Sequence, residues 1–481
     1  MKKLVIIFLF LSIGFSVSAQ NKKWTLQECV EYALKNNISV KQSELDVQLS
    51  DIEKSDAFGN FFPNLNASAS NSWNTGLTQN ITTGVLETQT SRNSSYSFSA
   101  GVNIFNGLRN HRQFQRAKLS QLASQYNLDK MQDDIALFVA NSFLQVLLNK
   151  ANLKVIQSQN EVTLEQIKRT QDLVDAGVLP RGDLLEIQAT NASEKQRIAV
   201  AENTVTISLI SLAQLLLVKD YPSFDIVDDN YNIIDDGFSS KNVDEVIEAA
   251  KENRYEVKIA EKNVELAEKD LQIAKSSYLP SLSGFFNYNT RESGSNRFVQ
   301  GVDTDNPLIT SDIGIVESTG QNVVGTFSNT IIEELNPLPY GEQLYLNDGI
   351  SYGVSLNVPV FNGFSVRNNV KRSKVNVLRS EFRLEQATLD LESNVYQAFV
   401  DSKGALKSYE AALAALESQK LAYQYAKDRY DVGLTNAFDF SQSKLRYDNA
   451  QIEENRSKYD YIFKLKVLEL YFGVPATELK F

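Results

Sequence analysis

Val102-Asn103-Ile104-Phe105-Asn106-Gly107 returns 256 residues later as Val358-Pro359-Val360-Phe361-Asn362-Gly363. At the same offset Asp175, Gly177 and Asp183 recur as Asp431, Gly433 and Asp439. Upstream, Ala33, Asn36, Val40, Ala57, Phe61, Pro63 and Leu65 recur as Ala250, Asn253, Val257, Ala274, Tyr278, Pro280 and Leu282, now 217 residues apart. The difference of 39 residues falls between 282 and 358, so the second copy carries one long insertion and is otherwise in register. Self-similarity at a long offset marks a duplicated structural unit. The sequence predicts two repeats, 20–218 and 243–481, joined by an acidic linker over 219–242. That linker holds Asp220, Pro222, Asp225, Asp228, Asp229, Asp235, Asp236 and Gly237. Its Asp228-Asp229-Asn230-Tyr231-Asn232 run has Ile233 where a calcium loop requires glycine, which favours a solvated linker.

Each repeat holds two segments that alternate with period two, the signature of a strand. Leu65, Ala67, Ala69 and Trp73 oppose Asn64, Asn66, Ser68, Ser70 and Ser72, while Tyr96, Phe98, Ala100, Val102 and Ile104 oppose Ser95, Ser97, Ser99 and Asn103. The predicted strands are about 64–73, 95–105, 281–290 and 350–360. They carry no charge and run to ~10 residues, as a tilted membrane strand does. A soluble sheet with one buried face is the competing reading. The small, uncharged polar face and the aromatics Trp73, Tyr288 and Tyr352 near strand ends favour lipid. Four strands cannot close a barrel, because single-chain barrels start at about eight, and lipid does not tolerate an open edge. Several chains must pool their strands. The segments 75–93 and 291–349 would then be cell-exterior loops. Asp303-Thr304-Asp305-Asn306 in the second is weighed as a cation site and disfavoured by Pro307 and the lack of further spaced acids.

No glycine or proline interrupts 108–176, and only Gly404 interrupts 364–432. Apolar residues recur there at spacings of three and four, as in Leu128, Met131, Ile135 and Phe138. A helix of ~70 residues is ~105 Å long. Such a helix must lie along parallel neighbours, as in a coiled-coil wall. Each ends at a break, about 175–183 and 431–439, where Gly177 and Gly433 suit a helix C-terminus and Asp183 and Asp439 suit the cap or first turn of a returning helix. The fold expected is mostly α, a long helical tunnel joined to a membrane β-barrel with four strands per chain.

The chain opens on Met1, Lys2 and Lys3, an apolar run over 4–17, then Ser18 and Ala19, which predicts a secretory signal over 1–19. No other run approaches ~18 consecutive apolar residues, so no membrane helix is expected. One cysteine, Cys29, excludes an internal disulfide and lies too far from the cleavage point for lipidation; a small core residue is the reading. A net charge of −11 excludes nucleic acid as a partner. The single histidine, His111, reads as a surface residue, and no nucleotide loop or metal-ligand cluster is present, so neither catalysis nor a cofactor is expected.

These features together resemble the TolC-like outer-membrane efflux protein family over essentially the whole mature chain. The carriers are Leu26, Glu28, Ala33, Asn36 and Asn37, the Phe-Asn-Gly turns at Phe105 and Phe361, and the two glycine tips. The resemblance implies a homotrimer with a twelve-stranded outer-membrane barrel and a periplasmic helical tunnel. It implies docking by the tips (Gly177, Val178, Leu179, Asp183; Gly433, Leu434, Asp439) on a periplasmic adaptor and, through it, an inner-membrane transporter, in efflux or type I secretion. It implies that Asp439 constricts the pore. The family's second constricting acid is Gln442 here, and the basic partner of a polar lock with Asp183 is Thr435. The other class weighed is an exported coiled-coil adhesin or stalk, which the uncharged strand pairs oppose.

Overall fold

A computed structural model describes residues 23–79, 84–228, 237 and 241–474. The predicted signal segment, the expected start of the first repeat at 20–22, much of the predicted linker (229–236 and 238–240) and most of the weighed calcium run lie outside the described residues.

The chain begins with β1 (Lys23–Trp24), α1 (Leu26–Asn36), α2 (Ile38–Gly59), β2 (Asn64–Gln79), β3 (Leu86–Asn106), α3 (Arg109–Asp175), α4 (Arg181–Leu215) and β4 (Asp225–Ile226). It continues with α5 (Val243–Asn253), α6 (Tyr255–Ser276), β5 (Ser281–Ser293), β6 (Arg297–Val302), β7 (Leu308–Ile315), β8 (Asn322–Ser328), β9 (Thr330–Leu335) and α7 (Tyr340–Leu346). It ends with β10 (Gly349–Asn357), α8 (Ser365–Asp431) and α9 (Ala437–Phe472). Local chemistry sets the ends. Thr25 and Glu28 form a reciprocal capping box on α1, Glu28 N–H donating to Thr25 Oγ1 at 3.2 Å and Thr25 N–H to Glu28 Oε2 at 3.0 Å. The α3 and α8 helices are 67 residues each, about 100 Å at 1.5 Å per residue.

By internal contacts the chain forms two units. The helical unit comprises 23–54, 115–271 and 371–474. Its main core gathers Cys29 and Ala33 of α1, Val139, Phe143 and Leu147 of α3, Leu212 of α4, Ile226 and Ile462. Burial pushes the Cys29 thiol up to about 12, so it packs as an inert small residue. A second cluster joins Val246 and Ala250 of α5 to Leu391 and Val395 of α8 and Leu468 of α9. α4 holds an 18-residue window of mean hydropathy 1.4, long and apolar enough by composition to cross a membrane, although not a run of consecutive apolar residues; 17% of it is buried. Its Val200 and Ile207 are 60% and 55% exposed.

The other unit, 55–114 and 272–370, is built on an antiparallel sheet of order β10-β5-β3-β2. In register, Leu65, Ala67 and Ala69 stand beside Ala100, Phe98 and Tyr96, and these beside Phe286, Tyr288 and Thr290. Tyr352 and Ile350 extend the same face across β10. The opposite face is mostly Ser and Asn, with Phe285 and Arg291 among them, and carries the hydroxyl pairs Ser68–Ser97 and Ser70–Ser95, each at 2.7 Å.

The expected strand limits need correction. β2 and β3 run on through the segment read as a loop, and β3 and β5 carry Glu87, Arg92, Arg291 and Glu292, so the strands are not free of charge. β10 stops at Asn357, because Pro359 has no N–H to continue the ladder. The insertion at 291–349 is not an irregular loop: β6 pairs with β9 and β7 with β8 in one interrupted hairpin, followed by α7. Within it Asp303 serves the turn, its Oδ1 accepting from the N–H of Asp305 at 2.9 Å and Asn306 at 3.1 Å. Glycine is obligatory at Gly107: φ is +67°, and a Cβ would lie 2.6 Å from the Ser276 carbonyl oxygen.

Candidate functional site

The two breaks between long helices close by the same backbone chemistry. At the first, Val178 N–H donates to Leu173 O at 2.9 Å and Gly177 N–H to Val174 O at 3.0 Å; at the second, Leu434 N–H reaches Arg429 O at 2.8 Å and Gly433 N–H reaches Tyr430 O at 3.0 Å. Each is a Schellman motif, which needs a left-handed residue at the glycine. Gly177 and Gly433 supply φ of +73° and +75°. Both turns present apolar side chains to the outside: Val178 is 65% exposed and Leu434 69%. Leu179 and Asp183 are half-buried, and both glycines are exposed.

The returning helices start differently. Pro180 precedes α4 without a side-chain cap, and Asp183 sits in the first turn with its N–H on Pro180 O at 3.1 Å. Asn436 caps α9 by accepting from Asp439 N–H at 2.8 Å. The cap is therefore Asn436, which leaves the Asp439 carboxylate exposed, 3.5 Å from Thr435 Oγ1. Gln442, one turn on, is exposed as well.

Between the turns the structure places ties that sequence reasoning missed. Arg169 Nη1 pairs with Asp431 Oδ1 at 3.0 Å, and its Nη2 donates to Asp431 O at 3.0 Å. Thr170 and Tyr430 share a hydroxyl hydrogen bond at 2.9 Å. Ile187, Tyr430, Ala437 and Phe440 form a small core, with the Tyr430 and Phe440 rings stacked at 5.0 Å. Burial first, and then the Asp183 and Asp431 charges, push the Tyr430 hydroxyl up, so it stays a neutral partner.

Two turns further along, three ionisable side chains are sealed together. Lys444 Nζ lies 2.5 Å from Glu194 Oε1 and 3.6 Å from Asp448 Oδ2, and all three residues are at most 5% exposed. Asn160 Nδ2 and Thr163 Oγ1 donate to Glu194 at 3.0 and 2.9 Å. Asp448 Oδ1 has no hydrogen-bond partner. The three border a cavity of about 300 Å³ that Gln442 also lines. A signal existed: at the repeat offset their counterparts are Ala450, Gln188 and Ala192, so the charges stand where the copies disagree. Among the described residues no group of three His, Cys, Asp or Glu side chains could hold a metal ion, and His111 is exposed.

Comparison with known proteins adds a family. The family model described as "Outer membrane efflux protein" matches residues 29–216 and 344–474. The outer membrane protein TolC of Vibrio cholerae is 23% identical over 366 residues, covering 75% of this chain and 72% of that protein. Protein CyaE of Bordetella pertussis is 22% identical over 456 residues, covering 94% and 84%. In fold, the chain is similar to the Campylobacter jejuni CmeC outer membrane channel, with a TM-score of 0.71 at 17% identity, covering 94% of this chain and 86% of that one.

Proposed function

Because the chain belongs to the outer membrane efflux protein family and is an outer-membrane channel, we propose that three copies pool their strands into one twelve-stranded barrel. The observation that carries this is the sheet order β10-β5-β3-β2, whose outer strands β2 and β10 have no further partner among the described residues. In lipid each unpaired backbone group costs several kcal/mol, so both edges must meet strands of other copies. At the family level the chain is a channel and not an enzyme. On this reading α3, α4, α8 and α9 of three copies line the tunnel, and their exposed apolar flanks face neighbouring helices. Extraction in detergent and native mass measurement is expected to give a trimer; a monodisperse monomer soluble without detergent overturns the reading.

The two helical turns are the proposed docking surface for a periplasmic adaptor and, through it, an inner-membrane transporter. Support comes from their exposed apolar side chains Val178, Val432 and Leu434, beside the half-buried Leu179, since apolar groups clustered at a tip call for a covering partner.

Asp439 is the proposed constriction, with Gln442 one turn behind. Three carboxylates drawn to one axis attract cations and repel each other. Its exposure beside a cap made by another residue frees it for that role, whereas Asp183 is half-buried in its first turn. Asp439→Asn is expected to weaken cation preference and block by multivalent cations in planar bilayers, with trimer stability unchanged because Asn436 keeps the cap. Unchanged selectivity would leave Asp439 without a pore role.

A further inference from the structure

The insertion between β5 and β10 ends in α7, and the contacts of that helix place it on a particular side of the sheet. Thr290 Oγ1 donates to Leu344 O at 2.6 Å, and the Tyr96 and Tyr340 hydroxyls are hydrogen-bonded to each other. Thr290 and Tyr96 belong to the face that carries Phe98, Phe286 and Tyr352, not to the Ser/Asn face. Gln343 latches the helix to the end of β5: its Oε1 accepts from Ser293 N–H at 3.0 Å and its Nε2 donates to Ser293 O at 3.0 Å. Asn347 Nδ2 adds a bond to Arg291 O at 3.1 Å.

Beneath and beside this latch an ion pair lies on the apolar face. Arg92 Nη2 meets Glu292 Oε1 at 2.6 Å, Ser94 Oγ donates to Glu292 Oε2 at 2.9 Å, and the Arg92 guanidinium stands 5.7 Å from the Tyr340 ring centre. Ser94, Thr290 and Glu292 are 2%, 7% and 3% exposed. At the end of the helix Tyr345 is 79% exposed and Leu346 58%, and the apolar side chains Ile350, Tyr352, Val354 and Leu356 of the following strand are exposed as well.

We infer that α7 is a lipid-contacting foot, which shields the polar upper end of the barrel's outer face and sets Tyr345 and Leu346 into the outer-leaflet interface. The inference rests on the proposed barrel. Its chemistry is that of interfacial anchoring: a tyrosine places its ring in the acyl boundary and its hydroxyl among headgroups. Charge and hydroxyl groups left bare on a lipid face are costly; Ser94, Thr290 and Glu292 are buried here, while the Arg92 side chain stays 43% exposed at the edge of the latch. A neighbouring copy of the chain is the competing occupant. It would have to cover the helix and leave the apolar band on which it sits in lipid.

The test uses the full chain on a Cys29→Ala background, reconstituted in vesicles of phosphatidylethanolamine and phosphatidylglycerol, with a nitroxide at Tyr345→Cys, Tyr352→Cys or Glu342→Cys. Accessibility to oxygen, which concentrates in lipid, is compared with that to a water-soluble nickel chelate. The expected result is a several-fold preference for oxygen at positions 345 and 352 and for the chelate at 342. Adding Gln343→Ala should reduce the preference at 345 and leave 352 unchanged. Chelate preference at 345 with oxygen preference at 352 overturns the foot and leaves the barrel standing. Protection from both reagents at 345 means that protein covers it, which also overturns the foot. Chelate preference at 352 removes the membrane reading itself.

Discussion

Lys444→Ala is expected to destabilise the helical unit by about 3–5 kcal/mol, the cost of stranding buried charges when one partner is deleted. The lysine donates to the buried Glu194 carboxylate at 2.5 Å and is paired with the buried Asp448 carboxylate at 3.6 Å. Asp448 supplies the internal control. Burial, the largest cause, and the Glu194 charge hold its carboxyl up to about 6 against an ordinary 3.8, although Lys444 pulls it down. A folded value above the unfolded one means that this group's stabilisation is complete below about 3.8 and is lost as pH rises through about 6. A shift of that size corresponds to a change on the order of 3 kcal/mol. Asp448→Asn removes the surplus charge while Lys444 keeps Glu194, so the variant should match or exceed the parent near neutral pH and lose this pH dependence. Denaturant unfolding followed by helical circular dichroism at about pH 4 and about pH 7 measures both effects. If Asp448→Asn keeps the parent's pH dependence, or Lys444→Ala costs under about 1 kcal/mol, the cluster is not a buried charge centre.

The second large effect is functional. Gly433→Trp should leave trimer assembly and insertion intact and abolish transport with the cognate adaptor. Nothing lies within 4 Å of a Cβ at this glycine, so bulk itself meets no obstacle; the strain comes from φ of +75°. A left-handed conformation costs an L residue ~1–2 kcal/mol, too little to unfold a 67-residue helix held through Leu391, Val395, Ala405 and Tyr430. What changes is the outer contour of the turn. Transport measured beside native mass separates the two consequences, and unimpaired transport would remove these turns as the docking surface.

Periodicity carried most of the fold. α3 and α8 were legible because nothing in 108–176 and only Gly404 in 364–432 breaks a helix, and the paired faces of β2 and β3 were legible because apolar and polar residues alternate. The continuation of β2 to Gln79 was not. There the strand continues through backbone pairing and one hydroxyl pair, Thr75–Thr90 at 2.8 Å, which an apolar/polar pattern does not register. The β6–β9 arm and α7 were hidden for a related reason: strands of six to eight residues and a helix of seven are too short for a period to emerge. At the tips, Gly177 and Gly433 could be read because a left-handed residue is demanded there. Asn436 escaped, since its capping role depends on where the first turn of α9 begins. The Glu194, Lys444 and Asp448 cluster escaped because its members come from two helices about 250 residues apart.

The four-stranded sheet also bears on timing. A newly exported copy in transit through an aqueous compartment would carry bare ladders on β2 and β10 and an apolar face with Leu65, Tyr352 and Val354 each more than 60% exposed. Open strand edges beside apolar surface are templates for indiscriminate pairing. Two routes then compete for the same chain, the proposed closure with other copies and runaway aggregation, and both accelerate with concentration. Productive biogenesis on the proposed assembly therefore favours a sparing supply of chains.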